Sequence, residues 1–99
     1  MIHIIWEYEV DSSQVRTFEE IYGSNGDWVS LFKQSQNYHG TVLLKDHSKP
    51  GRYLTIDQWN TIDDFESFKA KYIDTYNKLD HKYDALTLVE KKIGVFEVA

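Results

Sequence analysis

The sequence predicts an α+β fold in which helices cover one side of an antiparallel sheet. Four segments alternate apolar and polar residues with the period of two that is typical of β-strands. Two other regions repeat apolar residues every three or four positions, as amphipathic helices do. These segments follow the order strand, helix, strand, strand, helix, strand. That order predicts a ferredoxin-like βαββαβ arrangement, and the 99 residues suffice for a single domain over positions 1–99.

The first strand is predicted over IHIIWEYEV, residues 2–10. Alternation puts five apolar residues on one of its faces: Ile2, Ile4, Trp6, Tyr8 and Val10. Asp11 is expected to cap the helix that follows, and Gly23 to end it. The apolar stripe of that helix consists of Val15, Phe18, Ile21 and Tyr22. A shorter helical turn follows in SNGDWVSLFKQS, with Ser24 and Asp27 as a capping box.

Two strands joined by the loop DHSKPG form the predicted central hairpin. The first is YHGTVLLK, residues 38–45. Strict alternation along it separates Tyr38, Val42 and Leu44 from His39, Thr41, Leu43 and Lys45. The second is YLTIDQW, residues 53–59. Its faces carry Tyr53, Thr55, Asp57 and Trp59 on one side and Leu54, Ile56 and Gln58 on the other.

The last helical region begins at a predicted capping box formed by Thr61 and Asp64. Its apolar stripe comprises Ile62, Phe65, Phe68, Tyr72, Tyr76, Leu79 and Tyr83. A straight helix of that length would run to roughly 36 Å, about twice a typical strand, so a break is expected near Asn77. The closing segment LTLVEKKIGVFEV predicts the fourth strand, with a bulge or an edge at Gly94.

One face of the predicted sheet has no helix to cover it. Alternation places four aliphatic residues there, Ile5, Leu43, Leu54 and Ile56, among the polar residues His3, Thr41 and Gln58. Burying each aliphatic side chain contributes roughly 1.5–3 kcal/mol, and monomers rarely expose such a patch. The sequence therefore predicts a twofold homodimer joined through this face of the sheet.

The composition excludes several classes of partner. With 16 acidic against 11 basic residues, the chain has a net charge of −5 and no basic run, which argues against nucleic acid binding. No apolar run approaches the roughly 20 residues of a membrane span, and no secretory signal is recognisable, so no membrane partner and a cytoplasmic location are expected. The absence of cysteine excludes disulfides and thiolate chemistry.

The first strand, YHGTVLL and YLTIDQWNTIDDFESF together resemble the antibiotic biosynthesis monooxygenase superfamily. The resemblance covers nearly the whole chain. It implies a dimeric α/β barrel with a cavity between the sheet and the helices of each protomer. Known members include cofactor-independent oxygenases of polyketide anthrones and quinols, and haem-degrading enzymes.

Residue by residue, the resemblance favours the cofactor-independent branch. Trp59 matches the tryptophan that ends the third strand, and Thr55 stands where the anthrone oxygenases have an asparagine. The haem-degrading branch has a second tryptophan where this chain has Phe68. Its axial histidine would fall near Lys78 of this chain. We therefore expect no haem or other cofactor, and no metal, since three or four convergent ligands are not indicated by the spacing.

Asp57 and Thr55 are the candidate catalytic residues. They share a face of the third strand, where burial would raise the pKa of Asp57 and suit it to act as a base, while Thr55 donates a hydrogen bond to a substrate oxygen. The alternative for Asp57 is a structural role, as a cap or paired with Arg52 or a lysine. The candidate substrate-binding residues are Trp28, Phe32, Tyr53, Trp59, Phe68 and Tyr72, each of which is equally suited to packing the core.

Two functions therefore remain open. The first is a cofactor-independent monooxygenase that acts on a small aromatic or quinol-type substrate in an apolar cavity. The second is a non-catalytic dimeric module that binds a small ligand or has a structural role.

Overall fold

A computed structural model describes all 99 residues and contains a four-stranded antiparallel sheet covered on one side by helices. The elements in chain order are β1 (Ile2–Glu9), α1 (Val15–Tyr22), α2 (Asp27–Phe32), β2 (Tyr38–Lys45), β3 (Arg52–Trp59), α3 (Ile62–Lys71), α4 (Ile73–Tyr83), a 3₁₀ turn (Asp84–Leu86) and β4 (Val89–Phe96). The strand order across the sheet is β2-β3-β1-β4. The predicted α+β, ferredoxin-like fold is confirmed.

The face of the sheet that packs against the helices is called the inner face here, and the opposite face the outer face. The pairing of β1 with β3 puts Ile2 opposite Trp59, Trp6 opposite Thr55 and Tyr8 opposite Tyr53 on the inner face. Ile2, Ile4, Tyr8 and Val10 are buried, as the alternation in the first strand predicts.

A bulge at the start of β2 reverses the predicted faces of that strand. Tyr38 lies opposite Trp59 but Gly40 lies opposite Gln58, so the pairing shifts by one residue between them. Thr41 and Leu43, expected on the uncovered face, therefore lie on the inner face, and Val42 and Leu44 lie on the outer face. Strict alternation along β2 predicted the wrong faces beyond the bulge, because one extra residue moves every later side chain of the strand to the opposite face.

The first two helices begin later than the sequence predicts. The carboxylate of Asp11 accepts hydrogen bonds from the backbone N–H and the hydroxyl of Ser13 and forms a turn, and α1 starts only after Gln14. Ser24 makes no cap, and α2 starts at Asp27, whose carboxylate accepts a hydrogen bond from Tyr83. Short polar side chains often prefer such turns and tertiary contacts to a cap.

The capping box at the start of α3 is present. The backbone N–H of Asp64 donates to Thr61 Oγ1 at 3.0 Å, and the Thr61 hydroxyl donates to Asp64 Oδ2 at 2.9 Å. The break in the long helical region lies at Tyr72 (φ −108°, ψ 27°) rather than near Asn77. The bulge predicted at Gly94 is also present, because Ile5 pairs with Gly94 and Trp6 with Lys92, which leaves Ile93 unpaired.

The outer face is uncovered and more apolar than the sequence predicts. Val42, Leu44 and Phe96 each expose between 44% and 46% of their surface. The cross-strand pairs Val42–Ile56 and Leu44–Leu54 place further aliphatic residues beside them. None of the helices combines the length and apolar character that a membrane span requires.

Candidate functional site

A cavity lies between the inner face of the sheet and helices α1, α2 and α4. The strands contribute Trp6, Tyr8, Thr41, Thr55, Asp57 and Glu90 to its lining, and the helices contribute Tyr22, Trp28, Phe32, Tyr76 and Asp80. The volume of the cavity, measured as the space open to the centre of a water molecule, is about 40 Å³. That is room for a few water molecules, so the cavity is narrow in this structure.

The cavity separates two clusters of packed aromatic side chains. The first, called the Trp59 cluster, is built by Ile2, Ile4, Val29, Leu31, Phe32, Tyr38, Trp59, Phe65 and Phe68. The second, called the Phe18 cluster, is built by Tyr8, Val10, Phe18, Tyr22, Tyr53 and Tyr83. Trp6 and Trp28 pack against both clusters, so they form the walls where the two meet.

Asp57 lies in the middle of β3 and lines the cavity beneath these aromatic walls. The Thr41 hydroxyl donates a hydrogen bond to Asp57 Oδ1 at 2.6 Å. Tyr38 Oη lies 2.5 Å from Thr41 Oγ1, and because the Thr41 proton is used on Asp57, the Tyr38 hydroxyl is the donor. Burial raises the pKa of Asp57 to about 6, while the hydrogen bond from Thr41 acts in the opposite direction.

The expected pairing of Asp57 with Arg52 is wrong. Arg52 Nε lies 2.6 Å from Glu7 Oε2, and Arg52 Nη1 lies 2.9 Å from Asp46 Oδ2. Arg52 belongs to the outer-face set of β3, because successive side chains of a strand point to opposite faces. The carboxylate of Asp57 therefore has no cationic partner, and the Thr41 hydroxyl is its one hydrogen-bond donor within the chain.

Thr55 is 4% exposed and lines the cavity two residues before Asp57. Its Oγ1 lies 3.2 Å from Tyr8 Oη, and either hydroxyl can donate. Burial raises the pKa of Tyr8 well above its ordinary value, the hydrogen bond with Thr55 lowers it, and the charge of Asp57 raises it further. Both hydroxyls thus remain protonated, and because one donates to the other, the pair has one proton left to donate into the cavity.

Two more carboxylates, Asp80 of α4 and Glu90 of β4, line the more exposed part of the cavity. Burial raises the pKa of Glu90, and the charges of Asp80 and Asp84 raise it further. Burial, followed by the charges of Asp80 and Asp57, raises the pKa of Tyr76 to about 12. The cavity is therefore acidic as well as aromatic.

The structure brings together only some of the residues that the sequence singles out. Asp57, Thr55, Trp28 and Phe32 line the cavity, whereas Tyr53, Trp59, Phe68 and Tyr72 do not. Trp59 is 0% exposed and has Phe65 and Phe68 packed against it at 5.3 and 5.2 Å between ring centroids. Tyr53 is 2% exposed and donates to Glu19, and Tyr72 packs on Phe68. The helix α3 fills the space that was expected to be open near Trp59.

Several cavity residues were not proposed from the sequence as site residues: Trp6, Tyr8, Tyr22, Thr41, Tyr76, Asp80 and Glu90. Trp6 and Tyr8 carried a usable signal, since they share the inner face of β1 and lie opposite the strand that carries Thr55 and Asp57. Thr41 was assigned to the outer face because the bulge in β2 is not visible in the alternation. No short-range pattern links Asp80 and Glu90, which the fold alone brings to one cavity.

Two buried indole N–H groups lack an acceptor, those of Trp28 and Trp59. Trp59 is enclosed by other rings, but Trp28 borders the cavity. Burial raises the pKa of Tyr22, and the nearby Trp28 N–H acts in the opposite direction. The Trp28 N–H is nevertheless outside hydrogen-bonding geometry. No group of three or more histidine or acidic side chains is arranged to hold a metal ion.

No family model matches the chain, and no curated protein matches it. Solved structures do match it along almost its whole length. A candidate antibiotic biosynthesis monooxygenase from Deinococcus radiodurans has a TM-score of 0.78 and 12% identity over 100% of this chain and 93% of its own. A protein with the same description from Bordetella bronchiseptica has a TM-score of 0.77 and 15% identity, over 99% and 96%.

A mutant of SnoaB, described as a cofactor-independent oxygenase from Streptomyces nogalater, has a TM-score of 0.72 and 18% identity over 98% of this chain and 91% of its own. The identities are low, so the likeness concerns the fold. The chain therefore has the fold of the antibiotic biosynthesis monooxygenase superfamily, as the resemblance in its sequence predicts.

Proposed function

We propose that this protein is a cofactor-independent monooxygenase that oxidises a small aromatic, quinol-type molecule in the cavity beside Asp57. The proposal depends on one observation above all. A carboxylate whose pKa is raised to about 6 lines an aromatic cavity and has no cationic partner. Perturbed carboxylates in clefts are frequent at catalytic sites.

The proposed chemistry begins with removal of a phenolic proton from the substrate by Asp57. A ring carbon of the resulting electron-rich anion reduces dioxygen and forms a carbon–oxygen bond, which gives a peroxide anion. Asp57 returns its proton to that anion, and the hydroperoxide, together with the hydrogen on the same ring carbon, leaves as water and gives a carbonyl group. The balance is one ring C–H and one phenolic O–H plus O₂ giving two C=O groups plus H₂O, so the substrate supplies all the electrons and no further reductant is needed.

The side chains around Asp57 suit this sequence of steps. A base works best when its pKa lies near the working pH, and an Asp57 pKa of about 6 leaves the group mainly ionised at pH 7 yet able to hold a proton. The hydrogen-bonded pair of Thr55 and Tyr8 has one hydroxyl proton left to donate to a developing oxyanion. The surrounding rings exclude water from the reactive anion.

SnoaB supports the proposal, since it has the same fold and is described as a cofactor-independent oxygenase. The narrowness of the cavity limits the substrate. The cavity volume of about 40 Å³ is well below that of a typical drug-sized site. A single ring therefore fits more readily than a tricyclic molecule. Side chains must move to admit even a single ring.

Oxygen uptake tests the proposal. The purified protein is incubated with a series of single-ring quinols, and dioxygen consumption is followed with an electrode. We expect uptake above the buffer rate, and a fall of about a hundredfold in Asp57→Asn because the base is lost. Asp63→Asn is the matched control, since Asp63 is exposed in the first turn of α3.

The outcomes separate the two functions considered. Unchanged uptake in Asp57→Asn would remove Asp57 from the reaction. No uptake with any quinol, together with quenching of tryptophan fluorescence by the same compounds, would replace the monooxygenase with a ligand-binding module.

We also propose that two copies associate through the outer face of the sheet. Val42, Leu44 and Phe96 supply an exposed apolar surface that no part of the chain covers. Monomers seldom expose a continuous patch of this kind, and a twofold axis lets the same patch meet itself.

Sedimentation equilibrium at micromolar concentration tests this association. Leu44→Lys puts a charge into the outer face and is expected to shift the protein from dimer to monomer. Val98→Lys is the control, because Val98 is 85% exposed and lies beyond β4. A wild-type protein that sediments as a folded monomer would contradict the proposal.

A further inference from the structure

The charges around the cavity all have one sign. Asp57, Asp80 and Glu90 line it, and no lysine, arginine or histidine does. The three ion pairs of the structure lie elsewhere and join Lys49 to Glu9, and Arg52 to Glu7 and Asp46. Neither Asp80 nor Glu90 has a side-chain hydrogen-bond partner within the chain. The cavity therefore contains negative charge that the protein itself does not neutralise.

Aromatic rings make up most of the remaining wall. Trp6, Tyr8, Tyr22, Trp28, Phe32 and Tyr76 all border the cavity. The face of an aromatic ring attracts a cation, most strongly for tryptophan. The outer part of this wall already shows the effect, since Lys69 Nζ lies 4.7 Å from the ring centroid of Tyr76.

The negative charges of the cavity also raise the pKa values of two of its tyrosines, Tyr76 and Tyr8. The charges of Asp80, Asp57 and Glu90 all contribute, after burial, to the raised pKa of Tyr76. Asp57 and Glu90 likewise contribute to the raised pKa of Tyr8. Two basic residues, Lys69 and Lys92, contact or pair with residues of the cavity wall. Lys69 lies against Tyr76, and Lys92 pairs with Trp6 in the sheet, but neither lines the cavity or forms an ion pair with its carboxylates.

We infer that the ligand of this cavity is a cation, namely an aromatic molecule that carries an ammonium group. The inference rests on the proposed use of the cavity for a small aromatic substrate and adds the charge of that substrate. The ring enters between Trp6 and Trp28, and the ammonium group lies at the exposed carboxylates of Asp80 and Glu90. An anionic ligand is disfavoured, because three carboxylates would repel it with no basic residue in the lining.

A cationic substrate also suits a reaction that begins with loss of a proton. Proton transfer from a neutral quinol to Asp57 moves the negative charge of Asp57 onto the ring, and the remaining charges of Asp80 and Glu90 disfavour an anion there. When the substrate carries an ammonium group, the deprotonated form has no net charge. The attraction of the two exposed carboxylates for that ammonium group then holds the ring near Asp57.

Three phenols of similar size and different charge test the inference. Tyramine is a cation at pH 7, 4-ethylphenol is neutral, and 4-hydroxyphenylacetate is an anion. Their binding to the full chain is measured by isothermal titration calorimetry, so the result does not depend on turnover. We expect tyramine to bind at least about tenfold more tightly than 4-ethylphenol, and 4-hydroxyphenylacetate to bind weakest.

Glu90→Gln is expected to reduce the preference for tyramine over 4-ethylphenol by about threefold or more, because it removes one carboxylate from the cavity. Glu97→Gln is the matched control, since it causes the same loss of charge beyond β4 and should leave the preference unchanged. Circular dichroism verifies that both variants are folded. A preference that falls equally in both would mean that the net charge of the chain is responsible, and the inference would fail.

Equal binding of tyramine and 4-ethylphenol, a preference for the anion, or no binding of any of the three by the folded protein would each overturn the inference. Oxygen uptake with matched quinols separates this inference from the proposed function. Uptake with 4-ethylcatechol and no preference for a cation would leave the monooxygenase standing without the charge selectivity. Tight binding of tyramine without uptake of dioxygen on dopamine would leave a site for cationic aromatic ligands and remove the oxygenase.

Discussion

The inner face of β3 carries two neighbouring regions with opposite properties. At its end, Trp59 is fully buried and has Phe32, Phe65 and Phe68 packed against it with ring centroids 5.2–5.6 Å away. Two residues earlier, Asp57 borders a cavity with a hydrogen bond from Thr41 and no ion pair. The same strand therefore supplies both a fully buried part of the core and the candidate site.

Helix coverage explains the difference. The capped helix α3 starts directly after Trp59 and brings two phenylalanines over it, so the space is filled. Above Asp57 lie Trp28 and Tyr76 from two different helices, and these rings border a gap instead of closing it. A high aromatic content is therefore compatible with both packing and a cavity, and the polar residues on the facing strands mark which one is formed.

The largest expected effect concerns the packed region. Trp59→Ala removes a fully buried ring from the Trp59 cluster, so we expect the free energy of unfolding to fall by about 3–5 kcal/mol. Urea denaturation followed by circular dichroism measures the change. Trp59→Phe retains most of the packing and should cost less, which keeps the test usable if the alanine variant does not fold.

Trp28→Ala sharpens the comparison between the two regions. Trp28 is partly exposed and borders the cavity, so its removal leaves less new empty space than the loss of Trp59. We expect a loss of about 1–3 kcal/mol, measured in the same denaturation experiment. If Trp28→Ala cost as much as Trp59→Ala, the region around Asp57 would be part of the packed core.

The next effect is a dependence of stability on pH that originates in Asp57. Its pKa is about 6 in the folded chain against an ordinary value of 3.8, so the folded state favours the protonated form. Its contribution to stability is therefore fully present below pH 3.8 and is lost as the pH rises to about 6. At pH 7 the ionised group costs on the order of 3 kcal/mol.

Asp57→Asn isolates this contribution, because it removes the titration and leaves the other carboxylates in place. We expect the variant to be more stable than the wild type at pH 7 by on the order of 2 kcal/mol relative to the difference at pH 4. Urea denaturation at both pH values, at one protein concentration, measures it. A difference between variant and wild type that is the same at pH 4 and pH 7 would contradict burial as the cause of the raised pKa.

Thr41→Val tests the hydrogen bond that holds Asp57. The Thr41 hydroxyl donates to Asp57 and lowers its pKa, so its loss should raise that pKa by roughly one pH unit. The carboxyl carbon of Asp57 reports the titration by NMR. Thr75→Val is the control, since Thr75 is exposed on α4. An unchanged titration would mean that Thr41 does not bond the ionised group.

The strand pattern and the resemblance together predicted the fold well. The bounds of β2 are those expected, β3 begins one residue earlier than expected, the capping box at Thr61 is present, and a bulge occurs at Gly94. These features depend on local patterns of two to four residues, which a sequence displays directly. The predicted helix starts near Asp11 and Ser24 were wrong. The carboxylate of Asp11 bonds to Ser13 and that of Asp27 to Tyr83, and only the folded chain determines these contacts.

The polar residues of the candidate site were predicted only where one strand determines them. Thr55 and Asp57 follow from alternation along β3, and both line the cavity. Thr41 was assigned to the wrong face because a bulge between Tyr38 and Gly40 inverts β2. The aromatic walls were predicted only in part, since the position of a gap depends on how two helices meet above the sheet. No periodicity in a single segment contains that information.

The smallest predicted effect belongs to the cap of α3, which holds the packed region closed. Thr61→Ala removes the hydroxyl that accepts from the Asp64 N–H, so we expect a loss of about 1 kcal/mol in the free energy of unfolding. Thr17→Ala, at an exposed position within α1, is the control and should change stability by less than about 0.5 kcal/mol. Because α3 covers Trp59 and contributes nothing to the lining of the cavity, tyramine should bind the Thr61 variant as it binds the wild type. Weaker binding of tyramine in this variant would mean that the packed region and the cavity respond as one unit, and the distinction between Trp59 and Asp57 would be lost.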